Sequence, residues 1–149
     1  MKKFFTRKTI GYQEVIAISF DGTREYRLRA TMDTGNSGIF PTIGAHIIEQ
    51  TMGCVKFSVQ CLYCASPKEE TCTVKGTIRP RVGKEIQERP VVKCAYIKIC
   101  GRTLKNTHVA LTDRSFKDTN ALMNRGIMTE MNMVVDPSAS YIHGDTISL

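Results

Sequence analysis

The chain has 149 residues, a length that fits one domain with a buried core, and we treat residues 1–149 as a single domain. Its 21 basic and 14 acidic residues give a net charge of +7. No run of Lys or Arg exceeds two residues, so the charge indicates a solvated basic surface or acidic protein partners and gives little support to nucleic-acid binding.

The N-terminal region shows no export or membrane signal. Residues 1–15 contain the two lysines of a signal peptide, but no apolar segment long enough for an h-region follows them. No window reaches the 18 or so apolar residues of a membrane span. The sequence therefore predicts a cytoplasmic protein that does not associate with membranes.

The first predicted elements form a hairpin. Two stretches rich in β-branched residues lie within residues 14–33 and flank Asp21-Gly22, a dipeptide typical of tight hairpin turns. Residues 55–64 then begin with alternating apolar and polar side chains, the pattern of a half-buried strand. We therefore expect two antiparallel strands, followed by a further strand from residue 55.

The middle of the chain predicts an exposed arm and a second strand pair. Residues 66–90 are rich in charge, Pro and Gly, which favours a mobile hairpin outside the core. Residues 91–101 and 107–113 are apolar and β-branched, and we expect them to pair as strands joined near Gly101.

The last predicted elements are a helix and a strand. Apolar residues are spaced nearly as in a helix over residues 121–130, and the Met-Val-Val-Asp segment at 133–136 returns to a strand pattern. The sequence as a whole predicts a mainly β protein with one short helix.

Six cysteines raise the question of disulfides or metal binding. Without a secretory signal, reduced thiols are the expected state. Cys61 and Cys64 have Cys-x-x-Cys spacing, and with Cys54 and Cys72 they supply enough thiolates for a structural zinc site, which stays an alternative. The three histidines show no ligand spacing, so we predict no metal at the active site and no cofactor. Cys94 and Cys100 are expected to fill apolar strand positions.

A single acidic motif stands at the end of the second predicted strand. Asp33-Thr34-Gly35 follows Ala30-Thr31-Met32, and Asn36 and Ser37 continue the loop. This motif resembles the active-site loop of aspartic proteases, in the half-length form that retropepsins use. By itself the tripeptide is a weak signal, because Asp and Gly are common in simple turns.

One motif per chain has a chemical consequence if the resemblance holds. A carboxylate that activates water for peptide hydrolysis needs a partner carboxyl that can donate a proton, and two carboxyls sharing one site cannot both ionise readily. Because this chain supplies one such aspartate, the second must come from another copy. The expected active form is a homodimer with Asp33 on its two-fold axis.

The C-terminal half extends the resemblance. Its motifs lie at residues 89–92 (Arg-Pro-Val-Val), 111–115 (Leu-Thr-Asp-Arg-Ser), 122–128 and 135–138, with Tyr141 closing the series. They are similar, in the same order, to motifs of a bacterial and phage family of retropepsin-like proteins often named ATP-dependent zinc proteases. The similarity covers roughly residues 12–141.

The resemblance implies a fold and a set of roles. It implies a closed retropepsin-like barrel, with Asp33 as catalyst and residues of about 61–86 as a flap over a protein or peptide substrate. Thr34 would hydrogen-bond across the dimer axis, and Gly35 would let the backbone approach its neighbour and offer an N–H to the carboxylate. If a phage encodes the chain, the compartment would be the host cytoplasm or the virion.

The resemblance also bears on the residues that support the loop. Asp113, beside Arg114, lacks the following Gly of a catalytic Asp and is expected to form a structural ion pair. Arg125, followed by Gly126, would be its partner or a dimer-interface group. Asn124 stands where the family has Gly, and Asn tolerates positive φ better than most non-glycine residues.

A different function uses the same barrel without catalysis. Such a module would serve assembly, for example as a phage particle component with viral assembly partners, because fold does not fix function. The oligomeric state separates the two hypotheses, since a stable monomer cannot bring two Asp33 side chains together.

Overall fold

The computed structural model describes residues 4–143, and within this range the chain forms thirteen strands and one helix. In chain order the elements are β1 (Lys8–Gly11), β2 (Gln13–Ser19), β3 (Tyr26–Met32), β4 (Thr42–Gly44), β5 (His46–Gln50), β6 (Cys54–Val59), β7 (Lys68–Ile78), β8 (Arg81–Val82), β9 (Glu85–Ile86), β10 (Arg89–Ile99), β11 (Arg102–Thr112), β12 (Ala121–Met123), α1 (Arg125–Glu130) and β13 (Met133–Asp136). No helix in the described range has the length and apolar character needed to cross a membrane.

Six strands close into a barrel in the order β2, β3, β12, β4, β11 and β10, and β10 then pairs back onto β2. The β2–β3 hairpin turns at Asp21-Gly22, where Gly22 has a φ of +88°. The β10–β11 hairpin turns at Gly101, which also has positive φ. Both predicted strand pairs and the mainly β, closed architecture are confirmed.

The core fills the barrel with β-branched and aliphatic side chains. Ile16, Ile18 and Ile97 are fully buried on the neighbouring strands β2 and β10. On β6 the buried side chains Val55, Phe57 and Val59 alternate with less buried ones, as the sequence pattern predicts. Burial on alternate positions fixes the strand register, because a shift by one residue would expose the apolar set.

The segment predicted as an arm is divided between the sheet and a projecting ribbon. Residues 68–73 of β7 pair with β6 and belong to the main sheet, and Glu70 is buried there. Beyond a bulge opposite Val91 and Val92, residues 76–91 form a two-stranded ribbon whose tip carries β8 and β9. We call residues 76–91 the arm. The predicted boundary of 61–86 is therefore wrong at its start, because cross-strand hydrogen bonds hold the first half of β7 in the sheet.

The predicted helix is shorter than expected. Residues 121–123 form β12, which pairs in parallel with β3 and antiparallel with β4, and only Arg125–Glu130 is helical. The apolar residues at 121–123 do not form one face of a helix. They are apolar because β12 lies between two strands of the barrel. The predicted strand at 133–136 is confirmed as β13, which pairs in parallel with β1 outside the barrel.

The cysteines differ from the expectation of six reduced thiols. Cys61 and Cys64 are joined in a disulfide, whereas the other four cysteines are free. The prediction for this pair was wrong because it was based on a reducing cellular compartment. It did not take into account that one tight turn brings the two sulfur atoms together. Cys94 is buried in β10 as expected, but Cys100 occupies the β10–β11 turn with a φ of +48°.

Candidate active site

Asp33 is the first residue after β3, and the barrel fixes its position. The parallel pairing of β3 with β12 places Met32 beside Met123, and the backbone N–H of Asp33 donates to the Met123 carbonyl at 2.9 Å. The aspartate is partly buried, whereas Thr34 and Gly35 are exposed. The carboxylate therefore lies on the rim of the barrel, where it can meet another molecule.

The loop after Asp33 is organised by two side chains that accept backbone N–H groups. Asp33 Oδ1 accepts from Gly35 at 3.1 Å, and Asn36 Oδ1 accepts from Gly38 at 2.8 Å. A Cβ at Gly38 would lie 2.8 Å from Asn36 Oδ1, closer than side chains tolerate. Gly35 thus donates to the carboxylate as the resemblance implied, while Ser37 is exposed on the outside of the loop.

Asn124 connects this loop to α1. Its side chain is 1% exposed, and its Nδ2 donates to the Gly38 carbonyl at 2.6 Å while its Oδ1 accepts from the Ile127 N–H as the helix N-cap. The backbone N–H of Arg125 also donates to the Asn36 carbonyl at 2.9 Å. The φ of Asn124 is −84°, so this residue serves as a cap and a tether and does not use its tolerance of positive φ.

We expect Asn124→Ala to lower the free energy of unfolding by about 1–3 kcal/mol, because it removes a helix cap and a buried hydrogen bond together. Urea unfolding measures the loss. Asn124→Asp keeps the cap oxygen but places a second acceptor against the Gly38 carbonyl. We expect it to be destabilised as well, and an unchanged unfolding midpoint in both variants would contradict the tether.

Asp113 and Arg114 do not form the expected ion pair. Within residues 4–143, Asp113 is in no ion pair; it is exposed, and its Oδ1 accepts the Ser115 backbone N–H at 2.8 Å, which lowers the pKa of the carboxyl. Arg114 instead donates from Nε to the Thr119 carbonyl at 3.1 Å. The prediction was wrong because the turn itself supplies a donor to the carboxylate, as Asp often finds in turns.

Arg125 and Gly126 lie beside the Asp33 loop. Both are exposed, and Arg125 contacts the loop through its backbone and is not paired with Asp113. A shallow hollow of about 260 Å³ opens at this point, and Ile39, Asn124 and Gly126 contribute to its lining. Ile39 is 79% exposed, so an apolar side chain faces outward next to the candidate catalyst.

A second feature, which we call the lateral groove, does not have Asp33 in its lining. It has a volume of about 420 Å³, and four segments line it: residues 28–29, 44–46, 58–67 and 113–120. Arg114 lies partly buried in its wall, and burial together with the neighbouring Arg89 lowers the pKa of this guanidinium. The motif at residues 111–115 supplies part of this lining, but nothing in the sequence indicates that it meets the other three segments, because they are far apart along the chain.

A buried polar network also escaped the sequence analysis. Glu70 is 5% exposed in β7, and it accepts hydrogen bonds from the Tyr26 hydroxyl and from Arg24 Nη2, the latter at 2.9 Å. Burial and the Glu70 carboxylate raise the pKa of Tyr26, so the phenol stays protonated as the donor. Glu70 lies in a segment rich in charged residues, and nothing in that segment of the sequence indicates that this residue is buried.

The zinc alternative does not fit the described residues. Within residues 4–143 no three side chains of His, Cys, Asp or Glu are grouped so that they could hold a metal ion. Cys61 and Cys64 are bonded to each other and supply no thiolate, which leaves only Cys54 and Cys72 of the four predicted ligands.

Comparison with known proteins gives a fold relationship only. No protein-family profile matches the chain, and no curated protein matches it significantly. Among solved structures it is similar to protein Lpg0085 from Legionella pneumophila, a protein with unknown function (DUF785). The two are 21% identical with a TM-score of 0.66, over 92% of this chain and 98% of that one. At this identity the likeness shows a shared fold and says nothing about activity.

Proposed function

We propose that the chain is a retropepsin-like aspartic endopeptidase that acts as a homodimer with one catalytic aspartate per chain. The observation that carries the proposal is the placement of Asp33: a partly exposed carboxylate on a loop that is tied to β12 and α1 by Met123, Asn124 and Arg125. A catalytic group must be held in place by rigid elements, and this loop is held from both ends.

The proposed chemistry needs two copies of Asp33. One carboxylate accepts a proton from a water molecule while the water oxygen attacks the peptide carbonyl carbon, and the protonated Asp33 of the second copy donates to the carbonyl oxygen. The tetrahedral intermediate then collapses: the carbon–nitrogen bond breaks, the leaving nitrogen takes the proton that the first Asp33 accepted, and a hydroxyl of the intermediate returns its proton to the second Asp33. The mechanism needs neither a covalent intermediate nor a cofactor.

The loop residues have separate roles in this proposal. The Gly35 N–H donates to Asp33 Oδ1 at 3.1 Å and orients the carboxylate. Thr34 is exposed, and in the proposed dimer its hydroxyl would hydrogen-bond across the axis and hold the two loops at a fixed separation. The arm would act as the flap that covers substrate and excludes water, with the bulge at Val91 and Val92 as its base.

Sedimentation equilibrium of the intact chain tests the proposal together with a peptide-cleavage assay. We expect a two-fold assembly and cleavage of an unfolded polypeptide such as reduced casein. A chain that stays monomeric at high micromolar concentration and cleaves nothing would contradict the proposal. That result would favour the non-catalytic assembly module, for which the exposed loop would be a docking surface for other proteins.

A further inference from the structure

The Cys61–Cys64 disulfide closes the turn between β6 and β7, and Cys61 forms part of the wall of the lateral groove. Cys61 is 5% exposed and Cys64 is partly exposed, so one sulfur is packed inside while the other is within reach of solvent. A bonded pair in this arrangement can be attacked from outside at one sulfur, with the buried sulfur as the leaving group.

This disulfide contributes mainly to local structure. Only Leu62 and Tyr63 lie between the two cysteines, and the stabilisation that a disulfide gives by restricting the unfolded chain grows with the length of the loop it closes. So short a loop restricts the unfolded chain little. We therefore expect the disulfide to stabilise the conformation of the turn itself, in which Tyr63 has a φ of +65°.

The turn is connected by hydrogen bonds to two other segments that line the groove. Gln60 Nε2 lies 3.4 Å from the Cys61 carbonyl and 3.3 Å from the Cys64 carbonyl, and it donates to both. Asn120 Nδ2 donates to the Gln60 carbonyl at 3.1 Å, and the Gly44 N–H donates to the Asn120 carbonyl at 2.7 Å. A change in the turn would therefore reach three of the four segments that line the groove.

Three of the free thiols are poorly suited to redox chemistry. Burial raises the pKa of Cys72 to about 11, and that of Cys94 and of Cys100 to about 12, so these side chains stay protonated at neutral pH. The thiolate is the reactive form, and protonated thiols exchange slowly. The bonded pair is therefore better suited to thiol–disulfide exchange than Cys72, Cys94 or Cys100.

We propose that Cys61–Cys64 is a thiol–disulfide exchange site and that its reduction by a dithiol loosens the wall of the lateral groove. A thiolate of the dithiol attacks Cys64 Sγ, the sulfur–sulfur bond breaks, and Cys61 leaves as a thiolate that takes up a proton. The second thiol of the reductant then releases Cys64. Two electrons and two protons pass to the protein, and the reductant leaves as its own disulfide.

The test compares the folded chain after equilibration with oxidised glutathione and after treatment with dithiothreitol. Alkylation of the native protein followed by mass spectrometry should place two new labels on Cys61 and Cys64 after reduction, while Cys94 stays unlabelled. Amide hydrogen exchange should rise on the order of tenfold at Leu62 and Gly44, whose N–H groups are bonded to Arg27 and Asn120.

Two variants make the test specific. In Cys61→Ser/Cys64→Ser, exchange at Leu62 and Gly44 should be fast and should not respond to dithiothreitol, whereas Cys54→Ser should respond as the native chain does. Labelling of the pair only after denaturation would overturn the proposal. Labelling with unchanged amide exchange would overturn it too, because the bond would then not control the groove. Neither readout depends on peptidase activity, so the result is separate from that of the proposed function.

Discussion

We expect Asp33→Asn to lower the rate of peptide cleavage by about 100-fold to 10,000-fold while the chain stays folded and dimeric, because the amide can neither accept nor donate the transferred proton. Asn keeps the shape of the side chain and an oxygen that can accept from the Gly35 N–H. The measurement is the cleavage rate of an unfolded polypeptide, taken at equal concentrations of dimer.

The matched control is Asp136→Asn. Asp136 is the last residue of β13 and also accepts the backbone N–H of the residue two positions on, Ser138, at 2.9 Å, but it belongs to the strand pair that lies outside the barrel. We expect its variant to cleave at the native rate. Full activity in Asp33→Asn, or an equal loss in both variants, would show that Asp33 is not the catalyst.

The second large effect concerns assembly: we expect Ile39→Glu to weaken the proposed dimer by about 100-fold or more and to remove activity with it. Ile39 is 79% exposed next to the Asp33 loop, and burying an Ile side chain contributes about 1.5–3 kcal/mol. A two-fold interface loses that contribution twice and must also desolvate two carboxylates. Sedimentation across a concentration series gives the dissociation constant.

Met52→Glu is the control for Ile39→Glu. Met52 is fully exposed in the turn between β5 and β6, at the far edge of the sheet, so its variant introduces the same charge away from the proposed interface. We expect it to dimerise and cleave as the native chain does. If Ile39→Glu dimerises normally, the interface does not include the Asp33 loop, and the catalytic proposal loses its second carboxylate.

The sequence predicted local features well because local residues determine them. Asp21-Gly22 specifies a hairpin turn, and the alternation at Val55, Phe57 and Val59 specifies a half-buried strand. The apolar stretch that ends at Met32 also placed Asp33 at a strand end, where the structure has it. In each case the signal lies within a few neighbouring positions.

The features that the sequence did not predict depend on distant partners. Residues 121–123 become a strand because β3 and β4 flank them, and nothing within the segment distinguishes that outcome from a helical turn. Asn124 is a tether because Gly38 lies across from it, and Glu70 is buried because Tyr26 and Arg24 meet it there. A single sequence does not show which distant residues meet in the fold, so these features could not be predicted from it.

The pairing of β3 with β12 has a consequence for how the chain matures. Ala30 lies beside Ala121, so the Asp33 loop gains its supporting residues only when distant parts of the chain have come together. Contacts between such distant positions form late, because a long stretch of chain must lose its freedom first. During synthesis, a nascent chain that has not yet reached α1 would therefore carry Asp33 without the contacts from Asn124 and Arg125 that hold its loop.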